Sequence, residues 1–277
     1  MVLTHELEVA YDLAKQAATL ILEVYASNFS VAYKGRNDPV TEADKRANEL
    51  IVAGLHQAFP QDLIVAEESP EPSPTLTSPR IWYVDPLDGT KEFINKNGEF
   101  SVMIGLTVNG QASLGVVCRP DKKLVYGGIV GHEAWREMDG DRSPLKIDPD
   151  PQPSDFPIIT VSRSHRHPLL KTIRKSLGIK HEMVSGSVGL KIGLIAEGKA
   201  DLYIEPGPFT SVWDACGPEA ILRGAGGQFT NVLGEPLVYG VKQLKNTHGL
   251  VASNGICHDR VIEALKPVVE ELGLKPR

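Results

Sequence analysis

The fold of this chain is decided by one stretch, Val84-Asp85-Pro86-Leu87-Asp88-Gly89-Thr90-Lys91-Glu92-Phe93. A strand-like segment, residues 81–84, runs into it and ends abruptly at two carboxylates. Proline fixes φ and cannot donate to a strand ladder, whereas glycine tolerates a tight or left-handed backbone. The strand therefore stops so that acidic side chains project into a cleft, where close carboxylates repel unless they are protonated or share a cation. The stretch predicts a divalent metal site at the end of a strand.

The composition is that of an ordinary globular protein. The 277 residues are 42% apolar and 23% charged, which allows a sizeable core in one large domain or two packed halves. A net charge of −6 gives no general attraction to nucleic acid or anionic membrane, so affinity for a phosphate has to be local. We find no secretory signal and no apolar run near the roughly 20 residues of a membrane span. The expectation is a cytoplasmic monomer or homodimer that binds a small molecule.

The three cysteines predict structural thiols. Cys118, Cys216 and Cys257 are far apart, odd in number and without C-x-x-C spacing. This pattern favours a reducing compartment over a disulfide framework or a zinc cluster. A zinc pair of His165 and His167 is not expected either, because no third soft ligand is near in sequence.

The first part of the chain predicts two helices followed by β-structure. Thr41 is a good N-cap for the second helix, with Asp44 at the capping-box position, and Phe59-Pro60 ends that helix. Asn109-Gly110 is a strong hairpin turn between two β-rich runs. The other predicted elements are a first helix with apolar residues from Leu7 to Val24, strands at 62–66 and 81–84, and a second hairpin at 124–137 ending at Asp139-Gly140.

The second part of the chain alternates between strands and helices, which favours an α/β half with crossover connections. The proline-rich stretch 148–153 is the best candidate junction, so we predict an N-terminal half, 1–148, and a C-terminal half, 154–277. The predicted elements are a strand at 158–161, helices at 169–177 and 188–197, a strand at 202–204, a helix at 213–224, strands near Phe229 and Val232 and at 250–252, and a helix at 260–272.

Acidic residues recur at the ends of these predicted elements. Hard cations such as Mg²⁺ take oxygen ligands in octahedral geometry and keep some of their waters. Such ions hold a phosphate ester, activate a water and neutralise the leaving oxygen. The candidate ligands are Glu67, Asp85, Asp88, Asp214 and a backbone carbonyl near Leu87.

Each acid also has a purely structural explanation. Asp44 could only complete a helix cap, and Asp214 could favour the dipole of the helix that it begins. Glu67 could belong to a solvated strand end, while Asp85 and Asp88 could be turn formers. The occurrence of all of them at several element ends is what weakens these explanations.

The motifs taken together resemble the inositol monophosphatase superfamily of Mg²⁺-dependent, lithium-sensitive phosphatases. The resemblance covers nearly the whole chain and is closest to the 3′(2′),5′-bisphosphate nucleotidases. Thr90-Lys91-Glu92-Phe93 stands where inositol phosphatases typically place Thr-Asn-Phe, and Ala66 stands where many relatives have glycine. The motifs that carry the resemblance are residues 38–44, 66–69 and 85–93, and Trp213-Asp214-Ala215-Cys216.

The resemblance implies a fold and a set of site residues. The implied fold is α+β to α/β, a layered αβαβα fold of the sugar-phosphatase type built from two packed halves. Asp44 and Thr90 would orient or deprotonate the attacking water. The implied ligands of two or three Mg²⁺ ions are Glu67, Asp85, Leu87 through its carbonyl, Asp88 and Asp214. The implied substrate-binding residues are Gly89, Thr90, Arg163, His165, Gly186, Ser187, Lys191 and Asp214.

The implied reaction is hydrolysis of the 3′-phosphate of adenosine 3′,5′-bisphosphate, giving AMP and phosphate, with the 5′-phosphosulfate analogue as a further substrate. Two alternatives stay open: the same chemistry on inositol monophosphate or fructose 1,6-bisphosphate, and a non-enzymatic sensor of phosphorylated metabolites. The intact acidic set argues against the sensor. An aspartyl-phosphate mechanism fails, because the residues before Asp88-Gly89-Thr90 do not complete the Asp-x-Asp-Gly-Thr motif that carries the covalent nucleophile.

Overall fold

The structure is a computed structural model that describes residues 3–35, 38–74, 77–148 and 157–276. The elements of the first part are α1 Thr4–Ala26, β1 Val31–Gly35, β2 Asp38–Thr41, α2 Glu42–Ala58, β3 Leu63–Ala66, β4 Arg80–Asp88, α3 Thr90–Ile94, β5 Ser101–Val108, β6 Gln111–Arg119, β7 Leu124–Ile129, β8 Glu133–Met138 and β9 Asp141–Pro144. The elements that follow are β10 Ile158–Ser162, α4 Leu170–Ser176, β11 His181–Ser185, α5 Val188–Ala196, β12 Leu202–Glu205, α6 Val212–Gly224, β13 Gln228–Thr230, β14 Leu250–Ser253 and α7 His258–Glu271.

Five layers of structure stack on one another. A seven-stranded sheet of order β3-β4-β5-β6-β7-β8-β9 carries α1 and α2 on one face and α5 and α6 on the other. The same α5 and α6 pack against a five-stranded sheet of order β11-β10-β12-β14-β13, whose far face is covered by α4 and α7. The layers therefore follow the order αβαβα, and the predicted fold is confirmed.

Asp85 of β4 lies on the face of the large sheet that packs against α5 and α6. Trp82 and Val84 belong to the core with α1 and α2, whereas Ile81 and Tyr83 belong to the core with α5 and α6. Side chains alternate between the two faces of a strand. Asp85 therefore continues the row that faces α5 and α6.

Glycines bring α6 unusually close to the large sheet. A Cβ on Gly115 would lie 2.0 Å from the carbonyl oxygen of Gly217, so neither the strand nor the helix could keep its place with a larger residue there. This close contact fixes the position of α6 against β5 and β6. Asp214, one turn earlier on α6, is thereby held near the end of β4.

Most of the predicted elements of the first part are confirmed. The helix cap is present as predicted, because Asp44 Oδ2 accepts from the backbone N–H of Thr41 at 2.8 Å. Asn109 and Gly110 have φ values of 52° and 76° and join β5 to β6 as a hairpin. The prediction at Asp139-Gly140 was incomplete, since that pair opens another hairpin to β9 rather than ending the β-structure.

The second part shows one missed strand. β11 pairs in parallel with β10, but it lies at the edge of its sheet, and its polar, half-exposed residues give no alternating apolar signal. Val232 is buried beyond β13 and lies in no strand, so that prediction was wrong. Residues 149–153 of the predicted junction lie outside the described residues, and the division into two halves stays a prediction.

Candidate active site

A cavity of about 510 Å³ opens where five strands end and three helices begin. The carboxyl ends of β3, β4, β10, β11 and β12 lead into its walls, and α3, α5 and α6 present their first turns. Helix N-termini favour anions, and the carboxyl ends of strands are the usual place for ligands in α/β proteins. The cavity therefore has the size and setting of a small-molecule site, which spans roughly 300–1,000 Å³ in proteins.

Three carboxylates meet on the floor of this cavity. Ligand oxygens of Asp85, Asp88 and Asp214 all lie within 4.8 Å of one another. Asp85 Oδ1 accepts from the backbone N–H of Leu87 at 2.9 Å, which stabilises the irregular end of β4, where the pairing with β5 shifts register. Asp214 Oδ2 accepts from the N–H of Ser211 at 2.6 Å and so caps α6. The turn at the end of β4 and the cap of α6 thus bring acids from two separate elements together on the cavity floor.

Glu67 joins this group from the neighbouring strand. β3 runs parallel to β4, so that both strands end at the same edge, and Glu67 contacts the carboxyl group of Asp85. The ammonium of Lys34 lies 2.9 Å from Glu67 Oε1 and 2.6 Å from Glu68 Oε1. Lys34 was not predicted as a site residue, because in sequence it is only one charge in a polar stretch between two helices.

The charges of the acidic cluster are unbalanced without a cation. Burial, together with the charges of Glu67 and Asp88, raises the pKa of Asp85 well above its ordinary value. Burial and the same two neighbours raise the pKa of Asp214 to about 7. Burial also raises the pKa of Asp88, against the opposing effect of the Lys191 charge. An all-oxygen set of ligands whose charges repel one another fits a hard divalent cation such as Mg²⁺.

Asp44 and Thr90 lie together at the edge of the cluster. The hydroxyl of Thr90 is 3.0 Å from Asp44 Oδ1, and the carbonyl oxygen of Leu87 is 3.3 Å from the same hydroxyl. Asp44 Oδ2 is already occupied by two donors of Thr41, its backbone N–H and its hydroxyl. Asp44 is buried and does not line the cavity, whereas its hydrogen-bond partner Thr90 does.

Gly89 shapes the turn between β4 and α3. Its φ of 94° lies in the left-handed region, and a Cβ there would come within 2.9 Å of the carbonyl oxygen of Glu99. Only glycine fits both the dihedral angle and the space. The turn places Thr90 at the start of α3, beside the acidic cluster.

Asp88 ties the cluster to α5. Its Oδ2 accepts from the hydroxyl of Ser187 and the N–H of Val188, each at 2.6 Å, at the first turn of that helix. Lys191 on α5 is fully buried, and its ammonium donates to the carbonyl oxygen of Gly186 at 3.3 Å. Burial lowers the pKa of Lys191, although the nearby carboxylates, Asp88 first, act in the opposite direction. Ser187 and Lys191 therefore adjoin the cluster, where the sequence predicted substrate contacts.

The remaining predicted contacts are divided between the cavity and a surface ion pair. Gly186 and His165 line the cavity, and the Lys91 ammonium lies 2.8 Å from His165 Nε2. Burial and the adjacent Lys91 charge lower the pKa of His165. Arg163 does not line the cavity, because its guanidinium donates to both oxygens of the Glu99 carboxylate, at 2.6 and 2.7 Å.

The cavity is also lined by side chains that were not predicted from the sequence. Glu205 is buried at the end of β12, and burial raises its pKa to about 7. Lys245 donates to the hydroxyl of Ser211 at 2.9 Å, and Phe209 stands on the rim with 60% of its surface exposed. None of these three residues belongs to a recognisable sequence motif. They come close to the acidic cluster only when the chain is folded.

The three cysteines are buried, as expected for structural thiols. Cys118, Cys216 and Cys257 are all free and buried. No helix within the described residues is long and apolar enough to cross a membrane.

The chain belongs to the inositol monophosphatase family, whose model matches residues 3–270. It is therefore a phosphatase of that family. It is 39% identical over 231 residues to a protein of Escherichia coli O157:H7 named 3′(2′),5′-bisphosphate nucleotidase CysQ, with 82% of this chain and 91% of that protein covered. It is 28% identical to 3′(2′),5′-bisphosphate nucleotidase 1 of Rattus norvegicus, with 88% and 89% covered.

Solved structures of the family have the same fold. CysQ from Bacteroides thetaiotaomicron superimposes with a TM-score of 0.75 at 32% identity, covering 90% of this chain and 97% of that one. Inositol monophosphatase from Anabaena superimposes with a TM-score of 0.78 at 27% identity, covering 96% of both chains. The resemblance inferred from the motifs is thereby confirmed.

Proposed function

We propose that the chain is a Mg²⁺-dependent 3′(2′),5′-bisphosphate nucleotidase. It removes the 3′-phosphate of adenosine 3′,5′-bisphosphate, giving AMP and phosphate, and acts likewise on the 5′-phosphosulfate analogue. The observation that carries the chemistry is the cluster of Asp85, Asp88 and Asp214 beside the Asp44–Thr90 hydrogen bond. The choice of a nucleotide is supported by the names of the relatives.

The proposed metal ligands are the acids that meet on the floor of the cavity. When bound, Mg²⁺ would lower the pKa of a water and offset the charge of the phosphate. Asp85, Asp88 and Asp214 would hold the ions without leaving their present hydrogen bonds to backbone N–H groups, because each retains a second oxygen. The proposed ligands of two or three ions are Glu67, Asp85, Leu87 through its carbonyl, Asp88 and Asp214.

Thr90 and Asp44 form the proposed path for a proton. The Thr90 hydroxyl donates to Asp44 Oδ1, so the lone pairs of its oxygen remain available to a water in the cavity. That water would give its proton to Thr90 Oγ while Thr90 passes its own proton to Asp44. Because Thr41 occupies the other oxygen of Asp44, the carboxylate cannot rotate away from Thr90.

Cationic and polar groups on two walls would hold the substrate. The N-terminal turn of α3, with the backbone amides of Gly89 and Thr90, would face the phosphate that is cleaved. Lys91 with His165 would hold the second phosphate from the side of β10. Lys191, with Gly186 and Ser187, would do so from the side of α5. Arg163 would act indirectly, since Glu99 holds its guanidinium.

The compartment and the oligomeric state of the enzyme are also part of the proposal. Three buried free thiols suit a reducing compartment, and we place the enzyme in the cytoplasm as a monomer or homodimer.

Phosphate release from adenosine 3′,5′-bisphosphate with and without Mg²⁺ tests the metal mechanism. We expect turnover that EDTA abolishes and that Asp88→Ala lowers by about 10²–10³-fold, the range of losses for an electrostatic group at the reacting centre. Asp139→Asn is the matched control, because the Asp139 side chain is 69% exposed and asparagine tolerates the left-handed backbone at this position, where φ is 51°. Full Mg²⁺-dependent turnover by Asp88→Ala would refute the assignment.

A further inference from the structure

One wall of the cavity is a six-residue loop that no motif predicted. Residues 206–211 follow β12 and end at Ser211, the N-cap of α6. Four consecutive members of this loop line the cavity: Pro208, Phe209, Thr210 and Ser211. The loop therefore faces whatever ligand lies on the acidic cluster.

The loop is anchored at both of its ends. The N–H of Gly207 donates to Glu205 Oε1 at 3.1 Å. At the other end the side-chain amide of Asn246 donates to Thr210 Oγ1 at 3.0 Å and to the carbonyl oxygen of Ser211 at 2.7 Å. Pro208 fixes its own φ and narrows the conformations of the residue before it. Phe209 thus sits at the tip of a segment whose shape is set before a ligand binds.

Phe209 is exposed although its ring is large and apolar. In the described part of the chain five large apolar side chains are well exposed, and of these only Phe209 lines the cavity. Most of the other lining residues are acids, lysines and small polar residues, and the aromatic residues Tyr203 and Trp213 line the cavity as well. An aromatic wall in a charged cavity suits an uncharged part of a ligand.

His167 supports the ring of Phe209 from outside the cavity. The two ring centroids are 5.6 Å apart with planes inclined by 45°. His167 is itself held, since its Nδ1 accepts from the N–H of Leu169 at 3.2 Å, and a Cβ on Gly207 would come within 2.8 Å of it. The Phe209 ring is therefore backed by a fixed neighbour and keeps its orientation.

We propose that Phe209 is the stacking platform for the nucleobase of the substrate, and that it separates nucleotide from base-free phosphate esters. This inference rests on the proposed nucleotidase function. An aromatic ring stacks on any purine or pyrimidine, because every base presents a π-face. A substrate without a planar ring gains nothing from Phe209.

Steady-state kinetics of Phe209→Ala on two substrates test this role. Base–aromatic stacking contributes about 1–3 kcal/mol per base, so the KM for adenosine 3′,5′-bisphosphate should rise roughly 5- to 150-fold with kcat nearly unchanged. The KM for 1-deoxyribose 3,5-bisphosphate, which lacks the base, should stay within about twofold. Phe209→Trp should restore the low KM for the nucleotide. Calorimetric titration with AMP should show the same loss of affinity without turnover.

Val238→Ala is the matched control, since Val238 is 64% exposed and lies outside this cavity. An unchanged KM for the nucleotide in Phe209→Ala would overturn the proposal, as would an equal rise for both substrates, and either result would leave the proposed function intact. Wild-type protein that releases no phosphate from the nucleotide in Mg²⁺ would overturn both.

Discussion

Replacing Asp214 by asparagine is expected to stabilise the metal-free protein and to weaken the stabilisation that Mg²⁺ provides. The asparagine keeps an oxygen for the N–H of Ser211, which now lies 2.6 Å from Asp214 Oδ2, so the cap of α6 survives. The change removes one negative charge from a cluster in which Asp85, Asp88 and Glu67 remain. The two effects therefore have opposite signs, which few unrelated mechanisms would produce.

The magnitude of the metal-free effect follows from the pKa of Asp214, about 7 against an ordinary value of 3.8. Because folding raises this pKa, the protein loses stability as pH rises from the unfolded pKa of 3.8 to the folded pKa of about 7, and the full loss is present above pH 7. At pH 8 this pKa shift lowers the free energy of unfolding by about 4 kcal/mol, at 1.36 kcal/mol per pKa unit. Because Asp214 is partly exposed and shares its charge interactions with the other acids, we reduce this value to about 2 kcal/mol. With an unfolding entropy of about 2.1 cal/mol/K per residue, this corresponds to a rise in Tm of about 3 °C.

The assay is thermal unfolding at pH 8 in EDTA and in Mg²⁺. Mg²⁺ at 100 times its Kd should add about 2.7 kcal/mol to the wild type, or about 5 °C in Tm, and distinctly less to Asp214→Asn. Asp139→Asn should behave as wild type, because the Asp139 side chain is 69% exposed at the surface. A variant that keeps the full Mg²⁺ shift, or that unfolds earlier than wild type in EDTA, would refute the reasoning.

Three further changes test other parts of the structure. Thr90→Ala should lower kcat about 10²–10⁴-fold, whereas Thr90→Ser, which keeps the hydroxyl, should retain most activity, and equal activities would contradict the proton path. Arg163→Met should leave the KM for the nucleotide within about twofold, since Glu99 holds the guanidinium; a rise of about tenfold would show direct contact. Burial raises the pKa of Glu219 to about 7 from 4.5, so wild type loses stability as pH rises through this range. Glu219→Gln should gain about 2.5 kcal/mol relative to wild type between pH 5 and 8 in urea unfolding, and a constant difference would exclude this titration.

Features encoded in short segments were predictable from sequence. The Thr41–Asp44 cap and the Asn109-Gly110 hairpin depend on residues within four positions of one another, and both are present. The acids of the cluster were found in the same way, because each ends or begins an element with a local signature. Their joint position on one floor then follows from the parallel pairing of β3 with β4 and the close approach of α6.

Features that depend on the packing of distant segments were not predictable. Lys34 reaches Glu67 and Glu68 from another strand pair, and no spacing in the sequence links them. Asp88 was expected only as a metal ligand, yet it also accepts from the first turn of α5, about a hundred residues later. The Phe209 loop has no signature at all, because its exposure and its support by His167 exist only after β12 and α6 are placed.

The most direct test of the central claim is phosphate release by the purified protein in Mg²⁺, with products identified by ³¹P NMR. The substrates are adenosine 3′,5′-bisphosphate, inositol 1-phosphate and fructose 1,6-bisphosphate. We predict loss of the 3′-phosphate with AMP as the product, and a kcat/KM on the order of 10²-fold above either other substrate. A higher kcat/KM for inositol 1-phosphate or fructose 1,6-bisphosphate, or release of the 5′-phosphate instead, would contradict the account.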